Sequence, residues 1–218
     1  MRKVISLVFL LTVFFNSLSA QQFGGNPPSL SWKQINTDSA RIIFPKGLDS
    51  QAQRVAGIVH YLAQQKTFSP GDKIYKINIV LQNQTTIANG YVGLGPFRSE
   101  FYLTPDPNNF NQGSLAWPDQ LAVHEYRHVM QYNNFRNGLS KAFYYLFGEE
   151  GLLVAIDGSV PDWFFEGDAV YNETFVTKQG RGRLPLFLNA YPSLWMSGKY
   201  YSFMKLRNGS LKNYVPNH

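Results

Sequence analysis

Apolar side chains recur along the chain at two different periods, and the change of period predicts both strands and helices. Residues 40–44 are largely apolar and stop at Pro45, which favours a strand. Residues 77–81 carry apolar side chains at every second position, the period of a second, half-buried strand. Residues 49–65 instead repeat apolar side chains at the spacing of one helix face. We therefore predict an α+β fold.

Three further helices are predicted in the second half of the chain. The first starts at Pro118, which suits a first helical turn, and stops within 133–138, where Asn and Gly cluster. The second covers 140–156, and we interpret its aromatic side chains as core packing rather than as a face for a partner or a membrane. The third, near 162–173, has a capping-box-like start. It contains Gly167, for which we expect close packing against the helix that starts at Pro118.

The first twenty residues have the parts of a secretory signal peptide. Arg2 and Lys3 give a basic start, residues 4–15 are almost entirely apolar, and residues 16–20 include small side chains. The apolar run is shorter than the about 20 residues that a membrane-spanning helix needs, and no later run is long enough. We therefore expect an exported protein, either periplasmic, in the cell envelope or secreted.

Composition excludes several classes of protein. The chain has 20 Lys and Arg against 14 Asp and Glu, and 18 against 14 once Arg2 and Lys3 leave with the signal peptide. This mild, scattered positive charge argues against nucleic-acid binding. The absence of cysteine excludes a disulfide framework, a thiolate nucleophile and a Cys-based zinc site. The rest of the chain divides into a flexible lead-in over 21–31 and one domain over 32–218.

An H-E-x-x-H motif lies inside the helix predicted from Pro118. Its histidines, His124 and His128, are four residues apart and therefore lie one turn above each other on one helix face. Two imidazoles at this spacing can bind one Zn²⁺, and Glu125 can then act as the general base toward a metal-bound water.

The segment 89–104 precedes this helix and has two interpretations. Its glycines and Gly95-Pro96 predict a loop, after which 99–103 returns to an extended pattern. The segment could be an exposed sheet edge to which an extended peptide adds as a further strand. It could equally be one arm of a plain hairpin.

Two motifs together resemble the gluzincin metallopeptidases of the peptidase-MA-like group. The first is H-E-x-x-H at 124–128, and the second is Trp-Phe-Phe-Glu-Gly-Asp-Ala-Val-Tyr at 163–171. The resemblance implies a zincin-like fold, a Zn²⁺ cofactor, a peptide or protein substrate, and a third ligand from the Glu of the second motif. The chain is also similar to exported bacterial members of this group in which a β-propeller follows the peptidase domain, so a C-terminal propeller beyond this chain is expected. The metzincin spacing does not fit, because Gln131 and Asn134 stand where Gly and His are required.

The third ligand is chosen among downstream carboxylates. The candidates are Glu149, Glu150, Asp157, Asp162, Glu166, Asp168 and Glu173. We predict Glu166, which lies inside a helix, with Trp163 and Val170 expected to bury its face. Glu173 shares that face about 10 Å further along and is expected to orient a ligand histidine, with Asp168 as its rival.

The donor that stabilises the oxyanion stays open. Four tyrosines are candidates: Tyr171, Tyr191, Tyr200 and Tyr201. The resemblance implies a tyrosine well downstream, which leaves room for a donor beyond residue 218.

Two other functions compete with the peptidase. One is a non-catalytic envelope or secretion-associated module with a structural zinc site. The other is a carbohydrate- or envelope-binding domain that uses the aromatic-rich residues 180–218. The presence of Glu125 favours the enzyme, since a structural site needs no base.

Overall fold

A computed structural model describes residues 25–65, 70–107 and 112–209. The described residues divide into two units, the first ending at Leu30 and the second beginning at Ser31. The described part of the first unit is a turn in which the Leu30 N–H donates to the Pro27 carbonyl at 3.0 Å. The predicted signal peptide lies outside the described residues, as does most of the predicted lead-in.

The second unit contains a five-stranded mixed sheet. Its strands are β1 (Trp32–Asn36), β2 (Ala40–Pro45), β3 (Ile77–Gln82), β4 (Gly90–Gly93) and β5 (Arg98–Tyr102). Their order across the sheet is β1-β2-β3-β5-β4. The three central strands are parallel to one another, while β1 and β4 pair antiparallel at the two edges.

Seven α-helices are described in the same unit, which makes the molecule a mixed α and β protein. They are α1 (Asp49–Gln64), α2 (Trp117–Phe135), α3 (Gly138–Asp157), α4 (Asp162–Val176), α5 (Pro185–Leu188), α6 (Ala190–Met196) and α7 (Phe203–Asn208). A short 3₁₀ turn, Arg181–Arg183, follows α4. Within the described ranges, no helix is both long and apolar enough to cross a bilayer.

The core lies between the sheet and two helices. Helix α1 connects the parallel strands β2 and β3 and packs its apolar face, which includes Val55 and Val59, on the sheet. Helix α2 packs against α1 and against β4 and β5, and it contributes Tyr126 and Val129 to the same core. These contacts hold α2 beside the β4 edge, and α4 also packs on α2.

The predicted strands and long helices are confirmed at β2, α1, β3, α2 and α4, but the segment 89–104 differs. Residues 90–93, predicted as loop, form the edge strand β4, whereas β5 lies inside the sheet between β3 and β4. Both interpretations of this segment were therefore partly right, since β4 and β5 form a hairpin and the hairpin supplies an edge. Pairing with β5 outweighs the low strand propensity of the two glycines in β4. The strand β1, paired with β2, was also not predicted.

The core-packing interpretation of α3 was wrong. Tyr145, Leu146 and Phe147 are 69%, 72% and 64% exposed. Apolar residues lie all around this helix, so packing one side leaves the others facing outward. A non-helical Gly148, with φ of 68°, also breaks the helix within this stretch.

Two local predictions around α4 were also wrong. Gly167 is exposed, and a Cβ built on it would contact nothing within 4 Å, so close packing does not explain this glycine. The residue before the helix is Pro161, and no side chain caps the helix start. Residues 181–208, where little periodicity was seen, form short helices with exposed apolar side chains.

Candidate metal centre

Helix α2 brings the two histidine side chains of the H-E-x-x-H motif together. His124 and His128 are one turn apart, and their Nε2 atoms are 3.3 Å from each other. The rings meet edge-on with centroids 4.9 Å apart. Both side chains are mostly buried, being 12% and 11% exposed.

Helix α4 adds the carboxylate of Glu166 to this pair. Glu166 Oε2 lies 3.3 Å from His124 Nε2, and Oε1 lies 3.5 Å from His128 Nε2. Ligands about 2.0–2.1 Å from a tetrahedral ion are about 3.3 Å from one another. The three side chains are thus spaced as a His₂Glu set would be, and they form a group that could hold a metal ion.

A chain of hydrogen bonds sets the tautomer of His128. Gln131 donates its amide N–H groups to Asp168 at 2.8 Å and to the Phe165 carbonyl at 3.0 Å. Its Oε1 is therefore the acceptor that faces His128 Nδ1 at 2.8 Å. Nδ1 must donate, which leaves the Nε2 lone pair free for a cation.

Asp168 is held in turn by a buried arginine. Arg127 Nε and Nη2 donate to the two Asp168 oxygens at 2.7 and 2.8 Å. Burial alone would raise the pKa of Asp168, but the hydrogen bonds from Arg127 and Gln131 lower it below its usual range. This bidentate pair joins α2 to α4.

Glu173 and Arg181 surround the other nitrogen of His124. Glu173 Oε2 lies 3.3 Å from His124 Nδ1, and Arg181 Nη2 lies 2.7 Å from the same atom. Arg181 also donates from Nε to Glu173 Oε1 at 2.7 Å. Cation binding at Nε2 requires a hydrogen on Nδ1, which then donates to Glu173. Arg181 can bind that carboxylate but cannot donate to Nδ1 in this tautomer.

These contacts shift the pKa of each group at the centre. Burial would lower the pKa of His124, yet the Glu166 and Glu173 carboxylates raise it to about 9. Burial and the neighbouring His124 lower the pKa of His128. The hydrogen bond with His124 lowers the pKa of Glu166. Burial would raise the pKa of Glu173, but His124 and Arg181 bring it down to about 2, so Glu173 is ionised.

The side chain of Glu125, a residue of α2, lies against the edge strand β4. It is buried, and that burial raises its pKa to about 7. A Cβ at Gly90 would lie 2.9 Å from Glu125 Oε1, so the glycine is what allows the strand and the carboxylate to come this close. A carboxyl with a pKa near neutrality can both take and release a proton.

The candidate metal centre opens into a cleft of about 460 Å³. Its wall is formed by residues 88–92, which lead into and include part of the edge strand β4, by α2, by the start of α4 and by Arg181. The Glu166 side chain is 66% exposed and Trp163 is 42% exposed, so the expected burial of this face of α4 was wrong. A donor set that faces an open cleft is accessible to another molecule.

The four tyrosines predicted as oxyanion donors do not line this cleft. Tyr171 is on the outer face of α4, 67% exposed and stacked on Phe175, and Tyr200 is 76% exposed. Tyr191 and Tyr201, in the segment after α4, are likewise not among the lining residues. Tyr91 and Tyr132 are the tyrosines at the cleft.

The sequence did not predict the roles of three residues at the site, Gln131, Arg127 and Arg181. Gln131 lies three residues after His128 on the same face of α2, a spacing that could have indicated its role. Arg127 stands inside the motif, at a position that carries no chemistry of its own. Arg181 reaches the site because the chain turns back on α4 after that helix ends. At this turn Gly180 lies against α4, and a Cβ on Gly180 would come within 2.5 Å of the Thr174 backbone. A glycine followed by Arg is a weak signal for such a turn.

The chain matches no protein-family model, no curated protein and no solved structure. What has been established is a mixed α and β protein with a His-His-Glu group on two packed helices.

Proposed function

We propose that this chain is an exported zinc metallopeptidase of the gluzincin kind, which hydrolyses peptide bonds in a peptide or protein substrate. One observation carries the proposal. His124, His128 and Glu166 present converging ligand atoms to the same open cleft that the Glu125 carboxylate lines. A purely structural His₂Glu site would need neither the opening nor the fourth side chain.

The side chains divide the chemistry among them. When bound by His124, His128 and Glu166, Zn²⁺ would polarise a carbonyl and lower the pKa of a coordinated water to about 7. Glu125 takes a proton from the attacking water and gives it to the leaving amine, a role that its pKa near neutrality suits. Arg181 and Tyr132 bring hydrogen-bond donors to the wall of the cleft.

The edge strand supports a peptide as the substrate. Among the residues that the structure describes, strand β4 pairs with β5 alone, and residues 88–92 line the cleft beside α2. An extended peptide could add to the free edge as a further strand and pass in front of Glu125. Backbone hydrogen bonds of this kind bind a peptide without regard to its sequence.

The test separates metal binding from catalysis. Glu125 is not a proposed ligand, so Glu125→Gln should keep about one zinc per chain and lose nearly all peptidase activity. His128→Ala should lose the metal itself. The measurements are metal analysis of the purified protein and digestion of a peptide library, with Glu150→Gln on α3 as the control carboxylate. A Glu125→Gln protein that cleaved at the parental rate would exclude this mechanism, whereas a parent protein that held zinc but cleaved no peptide would favour the non-catalytic zinc module.

A further inference from the structure

The segment that follows α4 leaves its large apolar side chains exposed. The 3₁₀ turn and the helices α5, α6 and α7 lie within residues 181–208, and no residue of this range is buried. Eight large apolar side chains between 186 and 204 are 46–90% exposed, with Trp195, Met196 and Phe203 among them. A soluble monomer rarely exposes large apolar side chains in such a group, which indicates a partner that covers them.

The same end of the chain carries charge of one sign only. Residues 21–173 contain 11 Lys and Arg against 14 Asp and Glu, whereas residues 174–218 contain seven Lys and Arg and no Asp or Glu. The basic residues are therefore less scattered than the total charge of the chain indicates. Such a difference in charge between two parts of one chain is typical of a surface that binds an anionic partner.

Most of these cations are not neutralised by the protein itself. Arg181 donates to Glu173. Five others are exposed, and none of them forms an ion pair within the described part of the chain: Lys178, Arg183, Lys199, Lys205 and Arg207. We refer to residues 178–208 as the C-terminal surface. Its charge is available to a partner that brings negative groups.

Basic and apolar side chains lie next to each other where α7 meets α4. The Arg207 guanidinium is 5.7 Å from the centroid of the Trp163 ring. The Trp163 ring in turn packs on Phe203, with the two centroids 5.1 Å apart, and Phe203 still remains more than half exposed. A partner that covers this place must therefore accept a cation and apolar rings within a few ångströms of each other.

We propose that the C-terminal surface binds the surface of a bilayer that contains anionic phospholipids. Lipid phosphates supply the negative charge, and the boundary between headgroups and acyl chains accepts apolar side chains. Tryptophan and tyrosine are typical of that boundary, because their rings are apolar while their N–H or O–H group stays hydrated. Trp195 and Tyr200, both more than half exposed, supply such rings. The protein would thus be held at a membrane by this surface, whether or not it is a peptidase.

Two other partners match the C-terminal surface less well. A nucleic acid would attract the cations and stack on aromatic rings, but it offers little to aliphatic side chains such as Leu186, Leu188 and Met196. A second copy of this chain, docked with the same surface, would cover the apolar side chains but would bring the cations of both copies together, which is unfavourable. An anionic bilayer covers the apolar side chains and neutralises the cations at the same time.

Sedimentation with lipid vesicles measures the binding. The protein is purified without residues 1–20, because the apolar run of a signal peptide would itself bind lipid. It is mixed with vesicles of phosphatidylcholine alone, or of phosphatidylcholine and phosphatidylglycerol in equal parts. Binding to the anionic vesicles should be at least about tenfold tighter and should weaken as salt is added, since salt screens the attraction.

A charge-reversed variant tests the basic side chains. Lys178→Glu, Lys199→Glu and Lys205→Glu in one protein should weaken binding to anionic vesicles at least about tenfold, since each basic residue near such a surface contributes about fivefold to the affinity. The matched control reverses three exposed cations of the sheet and its adjoining turns, Arg41, Lys46 and Lys76, to Glu. This control has the same net charge and should lose less than about threefold.

A second variant tests the apolar side chains without changing the charge. Trp195→Ser combined with Met196→Ser should weaken binding to anionic vesicles at least about fivefold, because these side chains no longer leave water for the lipid. Tyr61→Ser, a change at an exposed ring of α1, is the control and should bind like the parent. All of the substituted side chains are exposed, so the variants should fold, which circular dichroism checks.

Three outcomes would overturn the proposal. The first is equal binding to both kinds of vesicle, or an equal loss in the charge-reversed variant and its control. The second is binding to a DNA duplex but not to anionic vesicles, which would assign the surface to nucleic acid. The third is a dimer in light scattering that Trp195→Ser with Met196→Ser dissociates, without binding of the parent to vesicles. Glu125→Gln should bind vesicles like the parent, so this inference is tested independently of the peptidase activity.

Discussion

At the scale of single residues, the candidate site depends on residues that leave space for a reactive side chain or fix its orientation. Gly90 makes space for Glu125, and Gln131 turns His128 so that Nε2 faces the other ligands. Neither residue would contact a metal ion or bear a charge. Gly90 fixes the position of a reactive carboxylate, and Gln131 fixes the tautomer of a ligand histidine.

Gly90→Ala should lower kcat by about tenfold or more while zinc content stays the same. The added Cβ would lie 2.9 Å from both Glu125 Oε1 and Leu121 Cδ2, so the carboxylate must move. Gly93→Ala is the matched control, because its Cβ would meet only the Tyr91 ring at 3.5 Å. Steady-state kinetics and metal analysis of both variants give the answer. Equal kcat values for the two would show that Glu125 need not be held in this position.

At the scale of elements, α2 and α4 are joined at the site by ionic contacts in addition to the aromatic packing between the two helices. The Arg127–Asp168 pair joins the two helices, and Glu173 joins α4 to His124 and to the segment that follows α4. Glu173 is 1% exposed, so its charge is balanced by these partners and not by water.

The acid sensitivity of the metal-free protein should depend on Glu173. Its folded pKa of about 2 lies below the ordinary value near 4.3, so its stabilising effect is complete above about pH 4.5 and is lost as the pH falls toward 2. Glu173→Gln should therefore be less stable than the parent at pH 6, on the order of 2–3 kcal/mol, and should lose less on acidification. Urea unfolding in excess chelator at pH 6 and pH 3 measures both effects.

Glu150→Gln, a change at an exposed carboxylate of α3, serves as the control and should follow the parent at both pH values. If Glu173→Gln and the parent lost equal stability between pH 6 and pH 3, the ionised state of Glu173 would not contribute to holding these elements together.

At the scale of the whole molecule, one group of ligands spans two helices that are far apart in sequence. His124 and His128 belong to α2, which packs on α1 and the sheet, whereas Glu166 belongs to α4. A bound ion would therefore attach α4 to the main core. The helices after α4 expose many apolar side chains, so packing against the core contributes little to the stability of that part of the molecule.

Removal of metal should lower the melting temperature. At a free zinc concentration 100 times the dissociation constant, binding stabilises the folded state by about 2.7 kcal/mol, which for a domain of this size corresponds to about 5–10 °C. Differential scanning calorimetry with zinc and with chelator measures the shift. Glu166→Gln should show a smaller shift, and a parent protein whose melting temperature ignored both zinc and chelator would contradict metal binding at this group.

The sequence by itself determined those features that depend on neighbours within a few residues. The periodicity of 40–44, 49–65 and 77–81 predicted the strands and the helix of the core, because burial of one face imposes a period of 2 or 3.6. The spacing of His124 and His128 predicted their convergence, because one helical turn fixes it.

Only the tertiary structure decided which distant segments meet. The approach of Glu166 to the histidines, the return of Arg181 to His124 and the pairing that makes 90–93 an edge strand all depend on contacts between segments separated in the sequence. The exposure of α3 also depends on such contacts. An apolar pattern indicates which side chains favour burial, but not whether another element covers them. Packing between elements determines which segments meet and which surfaces are covered, and local periodicity does not predict that packing.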